Sequence, residues 1–404
     1  MLLSRIARRS VRCLAVSTAI VLVSADAPVI AQQTSEVEYP GWVFTPSIGL
    51  GGAWDSNVLL AGEVNPGDYG TPVSPSLSLD YGGRRTLLST AYGGTYVMYR
   101  SFEELNSSEQ RFRAFVQRRA TKRLTLFAQE SFTSAPTTDV LEFSGVPFYR
   151  VGSQTNVASG GLEAALSRLT TLRASYSLRS VSFEDRPPQF GGDSTELQGG
   201  YAHEVLVTAG RMLSRRLTLG GEYQLRRSVL TDGLDRFNMH TAAATLEFAM
   251  SPNVTMSASA GVARLGAGLY HDARTGPSVH VGIARRTRLG TASASYVRTF
   301  IPSFGFGGTF QNEELAASFR APFFRGRAYA VGSAVLQDND PLETDRPSLQ
   351  SLLFSGVVGY QATRWLSLEG FYARTQQDNT AIVNQIVRNQ LGFRVVAAKP
   401  LRIR

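Results

Sequence analysis

The sequence predicts an all-β chain: a transmembrane, antiparallel, up-and-down β-barrel of about 18 strands, within a range of 16–18. Three observations predict it. The first is Met239 to Leu265, MHTAAATLEFAMSPNVTMSASAGVARL, in which Ala244, Leu246, Phe248 and Met250 alternate with Ala243, Thr245, Glu247 and Ala249. After Ser251-Pro252-Asn253 the alternation resumes as Val254, Met256, Ala258 and Ala260 against Thr255, Ser257, Ser259 and Gly261. Period two on both sides of a tight turn is a β-hairpin with one apolar and one polar face. The second is that short basic connections alternate with long polar ones along the whole chain. The third is that no segment after the N-terminus has the apolar length of a membrane-crossing helix, and no helical pattern offers to cover the apolar faces.

The elements follow in order. Residues 1–31 are expected to be a signal peptide. Arg5, Arg8, Arg9 and Arg12 form its basic region, Cys13 to Ser24 an apolar run too short to span a bilayer, and Val29-Ile30-Ala31 a small-residue cleavage site. Ala25-Asp26-Ala27 is a second option, weakened by the Pro28 that follows. Arg8-Arg9 raises twin-arginine export, but the residues after the pair match that signal poorly. The single cysteine of the chain, Cys13, precedes the apolar run and leaves with it. A cysteine-free mature chain suits passage through an oxidising periplasm. Residues 32–41 are expected as a periplasmic leader, 42–398 as the barrel and 399–404 as a short periplasmic tail.

Within the barrel the predicted strands are 42–54, 71–81, 86–100, 109–119, 124–134, 154–166, 169–183, 194–213, 217–229, the hairpin above, 274–285, 289–301, 310–321, 327–337, 348–361, 365–375 and 386–396. The short connections carry Arg84, Lys122, Arg123, Arg168, Arg215, Arg216, Arg286, Arg288, Arg325 and Arg364. The long ones include 58–70, 135–153, 184–193, 301–308 and 338–347 and collect acidic residues such as Asp68, Asp193, Asp232, Asp235, Asp272 and Glu343. Outer-membrane barrels have short periplasmic turns and longer outside loops, so an even strand count places both termini in the periplasm. Closure also removes the edges that so many long strands would otherwise present.

Composition agrees. Of 404 residues 43% are hydrophobic and 18% charged, with 38 Gly, 15 Tyr and 22 Phe. That mixture is what rows facing opposite solvents average to, and glycine bends with aromatic girdles are regular parts of such barrels. The formal charge of +9 includes four arginines of the signal. The remaining basic residues sit in evenly spaced turns without a recognition motif, so no nucleic acid is expected as a partner. The expected partners are outer-membrane lipid and lipopolysaccharide and the barrel-assembly machinery.

Thr45-Pro46-Ser47-Ile48-Gly49-Leu50, followed by Trp54-Asp55-Ser56-Asn57-Val58 at the first outward loop, resembles the start of a family of bacterial outer-membrane porins associated with extracellular-polysaccharide clusters. The resemblance implies an outer-membrane pore, with polysaccharide secretion as a use for it and periplasmic polysaccharide-export proteins as further partners. It carries over no catalytic or binding residue, and Asp55-Ser56-Asn57 is itself expected to be turn chemistry at a strand end.

A barrel of 16–18 strands leaves a water-filled lumen, so the inward rows matter. With the apolar row toward lipid, Arg111, Arg113, Arg173, Arg179, Arg226, Arg320, Arg388 and Arg394 are expected to point inward, alongside Glu222, Glu247, Glu314 and Glu369. An arginine facing lipid at the midplane would cost roughly 2 to 4 kcal/mol. Two uses compete for these arginines: rings that favour anions, or Arg–Glu ladders that hold strands together.

No enzyme is expected. His203, His240, His271 and His280 are scattered without metal-ligand spacing, and no Gly-x-Ser-x-Gly elbow occurs. No cofactor is expected, and Asp338-Asn339-Asp340 lacks the rest of a calcium loop. Three functions remain open: a pore for an anionic extracellular polysaccharide, a general diffusion porin constricted by a folded-in loop for which 135–153 is the candidate, and a surface structural or adhesive barrel with a plugged lumen.

Overall fold

A computed structural model describes residues 41–403 except 63–65, 142–143, 185–196, 231–235, 268–271, 344–345 and 381–384. The expected signal peptide and most of the leader lie outside the described residues, as do His271, Asp193, Asp232 and Asp235.

The strands are β1 (Gly41–Asp55), β2 (Asp68–Gly82), β3 (Thr86–Tyr99), β4 (Ser107–Arg119), β5 (Leu124–Ala135), β6 (Ser153–Ala165), β7 (Thr170–Phe183), β8 (Gly200–Met212), β9 (Leu217–Leu230), β10 (Arg236–Ser251), β11 (Val254–Leu265), β12 (Arg274–Thr287), β13 (Gly290–Pro302), β14 (Thr309–Phe323), β15 (Ala328–Pro341), β16 (Leu349–Gln361), β17 (Leu366–Asn379), β18 (Ile386–Ala398) and a short β19 (Leu401–Ile403). Each of the first 17 pairs antiparallel with the next, and β18 returns to pair with β1, Ser47 opposite Ala398 through Asp55 opposite Gln390. The chain is therefore a closed 18-stranded antiparallel barrel. The hairpin that first suggested it pairs Met239 with Leu265 and Ser251 with Val254.

The residues expected as a short tail are paired in part. After Lys399-Pro400 the chain pairs again with β1, Leu401 opposite Phe44 and Ile403 opposite Trp42. Proline interrupts the ladder because it has no N–H, and pairing resumes once it is passed.

Alternation sets the two faces. One row exposes Ile48, Leu50, Leu77, Tyr92, Leu126, Tyr176, Leu219, Val262, Ile283, Leu315, Phe354 and Leu391. An exterior of that kind is what a bilayer demands of a closed sheet. Two aromatic pairs mark its limits: Trp42 against Tyr81 near the turns (ring centroids 4.7 Å) and Trp54 against Tyr69 near the loops (4.8 Å). The twelve-residue interval from Trp42 to Trp54 extends about 40 Å along a strand. At a tilt of about 40° that is roughly 30 Å along the axis, the thickness of a hydrocarbon core.

Inside, large rings lie over glycines of the neighbouring strand. Tyr329 covers Gly359, Phe127 covers Gly161 and Phe371 covers Gly392, so a Cβ at any of these glycines would strike the ring. Tyr329, held there, donates to Glu369 at 2.5 Å, and Arg394 binds the other carboxylate oxygen at 2.6 Å. Gly359→Val is expected to displace the ring, break this chain and cost about 1–3 kcal/mol, read as a lower urea midpoint of the refolded barrel.

Candidate functional site at the loop end of the barrel

Burial divides the interior row along the axis. At the loop end its members are buried, among them Tyr99, Leu230, Phe237, Asn339, Leu349, Gln377 and Ile386. Towards the turns the same row is half-exposed, and Phe115 even shows 37% of its surface. Five apolar clusters fill the loop end. The barrel is thus a cup, open at the turns and roofed at the loops.

Among the described residues the roof is built mainly by the connection from β5 to β6, residues 136–141 and 144–152. A loop leaving β5 can reach the opposite strands only through the interior, and this one does. Ser144 donates to Glu314 of β14 at 2.9 Å and accepts from Gln337 of β15 at 3.2 Å. Gln377 of β17, 1% exposed, accepts the Phe148 N–H at 2.7 Å and donates to the Val146 carbonyl and the Ser351 hydroxyl, both at 3.0 Å. Phe148 packs with Leu60 and Ile386. The loop folds on itself as well: the Thr138 hydroxyl donates to the Pro147 carbonyl at 2.6 Å and accepts the Tyr149 N–H at 2.7 Å. Arg150 ties its return to the first two outer loops through the Val58 and Leu105 carbonyls at 2.8 and 2.6 Å.

Gly145 turns the loop with φ +78°, and a Cβ there would stand 2.8 Å from the Phe310 ring. Gly145→Ala combines left-handed strain of about 1–2 kcal/mol with that contact. It is expected to loosen the loop, seen as faster cleavage by added protease between 138 and 148.

A second loop meets the first. Phe304, on the connection from β13 to β14, packs against Leu141 and Val146 of the roof and Val181, Ala202 and Leu230 of the wall. Gly305 pairs with Gln198 through two 2.8 Å backbone bonds, and a Cβ on it would strike Pro147.

The polar centre of the roof is Arg388 of β18, whose side chain is 7% exposed. Its Nε donates to both Asp55 oxygens at 3.2 and 3.0 Å, its Nη2 to Oδ2 at 2.6 Å, and its Nη1 to Asp139 of the roof loop at 2.9 Å. Gln390 and the Asn57 N–H add further bonds to Asp55, both at 3.1 Å. Bidentate guanidinium–carboxylate geometry is the strong form of this contact. One arginine therefore joins first strand, last strand and roof.

Asp55-Ser56-Asn57 is turn chemistry and more. Besides Asp55, Ser56 accepts the Asn389 N–H at 2.8 Å and Asn57 donates to the Val387 carbonyl at 3.0 Å. All three residues grip β18, so the motif staples the closing seam of the barrel. Asn57 also exchanges bonds of 2.9 and 3.1 Å with Ala61 to shape the loop.

By strand register all eight singled-out arginines belong to the row that carries Asp55 and Gln377. Ion pairs join Arg111 to Glu109, Arg226 to Glu204 at 2.8 Å and Arg394 to Glu369 at 2.6 Å, with Arg388 paired as above. Arg173 stands opposite Glu163 and 4.8 Å over the Phe127 ring. Arg179 faces Ala202 across β8, Arg113 faces Ser131 across β5, and Arg320 faces Val331 across β15. Of the eight, Arg388 is bound to the roof, through Asp139. At Arg111, Arg226 and Arg394 a carboxylate stands beside the guanidinium.

The remaining candidates disperse. His203 and His240 lie on the exterior row, each with Nδ1 hydrogen-bonded to a tyrosine, Tyr176 at 2.7 Å and Tyr223 at 2.8 Å. His280 lies on the interior row opposite Ser259. Asp338, Asn339 and Asp340 alternate within β15, so Asn339 points away from the two carboxylates and the three cannot converge on one ion.

Sequence reasoning missed Gln377 and the partners of Arg388. Beyond Thr375 both rows of β17 are polar, Gln376 and Asp378 outside and Gln377 and Asn379 inside, which erases the period-two signal.

The fold and the site define a closed 18-stranded barrel with an inward-folded roof. No protein-family model matches the sequence, and no curated protein matches it. Among solved structures the chain is similar to Acinetobacter baumannii OccAB4, with 10% identity and a TM-score of 0.43 over 91% of this chain and 100% of that one. It is likewise similar to Pseudomonas aeruginosa OccK7 (OpdD), 11% identical with a TM-score of 0.43 over 90% and 100%. The alcaligin outer membrane receptor FauA of Bordetella pertussis is 12% identical, with a TM-score of 0.40 over 88% of this chain and 76% of that one.

Proposed function

We propose that this chain is a bacterial outer-membrane channel for small polar solutes, restricted at its outer mouth by the loop of residues 136–152. The observation that carries the reading is the loop's passage through the interior to Glu314, Gln377 and Arg388. An 18-stranded barrel is wide enough for water, so what limits passage is the material folded into it. The open end, on the short-turn side, faces the periplasm in this reading. Its wall presents guanidinium and carboxylate groups side by side, which offers both signs of charge to a passing solute. The polysaccharide use implied by the resemblance at Trp54 to Asn57 requires a polymer-wide opening and hence displacement of the roof.

Conductance and ion selectivity of the refolded protein in a planar bilayer test this. A small, steady conductance with weak selectivity is expected. Arg111→Gln with Arg394→Gln removes the positive charge beside Glu109 and Glu369 and should shift selectivity towards cations. Absence of conductance from folded protein, even after removal of the loop, would sink the channel reading and favour a structural barrel.

A further inference from the structure

We propose that a sector of the barrel's outer surface, on β8–β11 just below the loops, binds the phosphorylated headgroup of a glycolipid in the surrounding leaflet. This rests on the reading that the barrel sits in an outer membrane. The site is made by register. His203 stands opposite Arg227, Arg227 opposite Asn238, and His240 opposite Arg264. Four adjacent strands thus bring two arginines, two histidines and an amide into a patch about 15 Å across, given strands about 4.8 Å apart.

All five side chains belong to the exterior row, above the apolar run of Val205, Leu225, Ala242 and Val262 that continues towards the turns. Arg227, Asn238, His240 and Arg264 are exposed. Neither Arg227 nor Arg264 makes an ion pair among the described residues. The tyrosines orient the rest: Tyr176 and Tyr223 hold the Nδ1 atoms of His203 and His240, and Tyr201 packs edge-on against His203. Exposed tyrosines at this height are the girdle that marks the polar boundary of a bilayer.

The chemistry at that boundary is what selects the occupant. Guanidinium forks match phosphate oxygens bidentately, and desolvation by neighbouring acyl chains strengthens the match. A free anion would have no use for the apolar strip directly beneath. The patch is also one-sided: at the same rim, the exterior row of β14 and β15 carries Glu313, Asp338 and Asp340, with Arg298 already bound to Glu313 at 3.2 Å. An anionic headgroup is therefore drawn to one sector of the barrel and repelled from another.

The test uses the full refolded chain in detergent, with its heat unfolding followed as lipopolysaccharide is added. The probes are lipopolysaccharide with its phosphates intact and the same material after enzymatic dephosphorylation. Intact probe should raise the unfolding temperature and dephosphorylated probe should not. Arg227→Gln with Arg264→Gln should weaken half-saturation at least about tenfold, since two charge-assisted contacts are lost. Arg374→Gln, an exterior arginine on β17, should leave it unchanged. Arg227→Lys with Arg264→Lys keeps the charge and should bind between the two. Equal stabilisation by both probes, an unaffected double Gln variant, or the same effect from inorganic phosphate alone would overturn the proposal. Failure of the barrel to insert into phospholipid vesicles would instead sink the outer-membrane reading, a result distinct from insertion without headgroup binding.

Discussion

Arg388→Ala is expected to lose about 3–5 kcal/mol of stability and to release the roof. The guanidinium is the shared partner of two carboxylates, Asp55 on β1 and Asp139 on the roof loop, and all three groups are buried. Removing it leaves two negative charges with their desolvation cost uncompensated, the costly way to break a buried pair. Lysine does not restore the bidentate fork, so Arg388→Lys should recover only part of the loss. The effect is read in urea unfolding of the refolded protein and in the open probability of single channels. Neutralising the whole triad, Asp55→Asn with Asp139→Asn and Arg388→Gln, should be markedly less destabilising than Arg388→Ala, because no buried charge is orphaned. If the triple variant is as unstable as the single one, the cost lies in packing rather than charge. Should Arg388→Ala not fold, Asp139→Asn isolates the contact to the roof, since the Asp55 staple at the seam remains.

Replacing residues 138–148 by a short Gly-Ser link is expected to raise single-channel conductance severalfold. The link removes Leu141, Val146 and Phe148 from their clusters, each worth about 1.5–3 kcal/mol of burial. Stability should fall at the loop end while the strands persist, so the far-ultraviolet spectrum keeps its β character. It also removes Asp139, and Arg388 retains Asp55. Unchanged conductance in a folded variant would show that another part of the roof, the Phe304 loop first, limits passage. Combining the link with Phe304→Ala then decides whether the two loops act as one gate.

Much of the barrel was legible in the amino-acid sequence because a wall with one apolar and one polar face writes its pattern locally. Each strand must alternate, and Leu246, Phe248 and Met250 against Thr245, Glu247 and Ala249 determine face and strand without reference to anything else in the chain. The same rule put the eight arginines in one row, and the alternation of short and long connections ordered the strands. Legibility fails where the apolar exterior ends: the outer ends of β15 and β17 run on to Pro341 and Asn379, beyond the expected Gln337 and Thr375, because both faces there are polar.

What the tertiary structure alone decided lies at that end. The sequence singled out 135–153 as a loop able to fold inward, but the partners that hold it, Glu314, Gln377 and Arg388, are 170 to 249 residues away along the chain in the bonds they form. No local pattern encodes such a contact. Asp55-Ser56-Asn57 was readable as a turn, while its grip on β18 exists only because closure brings the first and last strands together. Pairing of arginines with carboxylates likewise depends on register between strands, which alternation leaves open in steps of two. Periodicity, a property of consecutive residues, determined the wall; closure and the crossing of the loop, properties of the ring as a whole, determined the mouth.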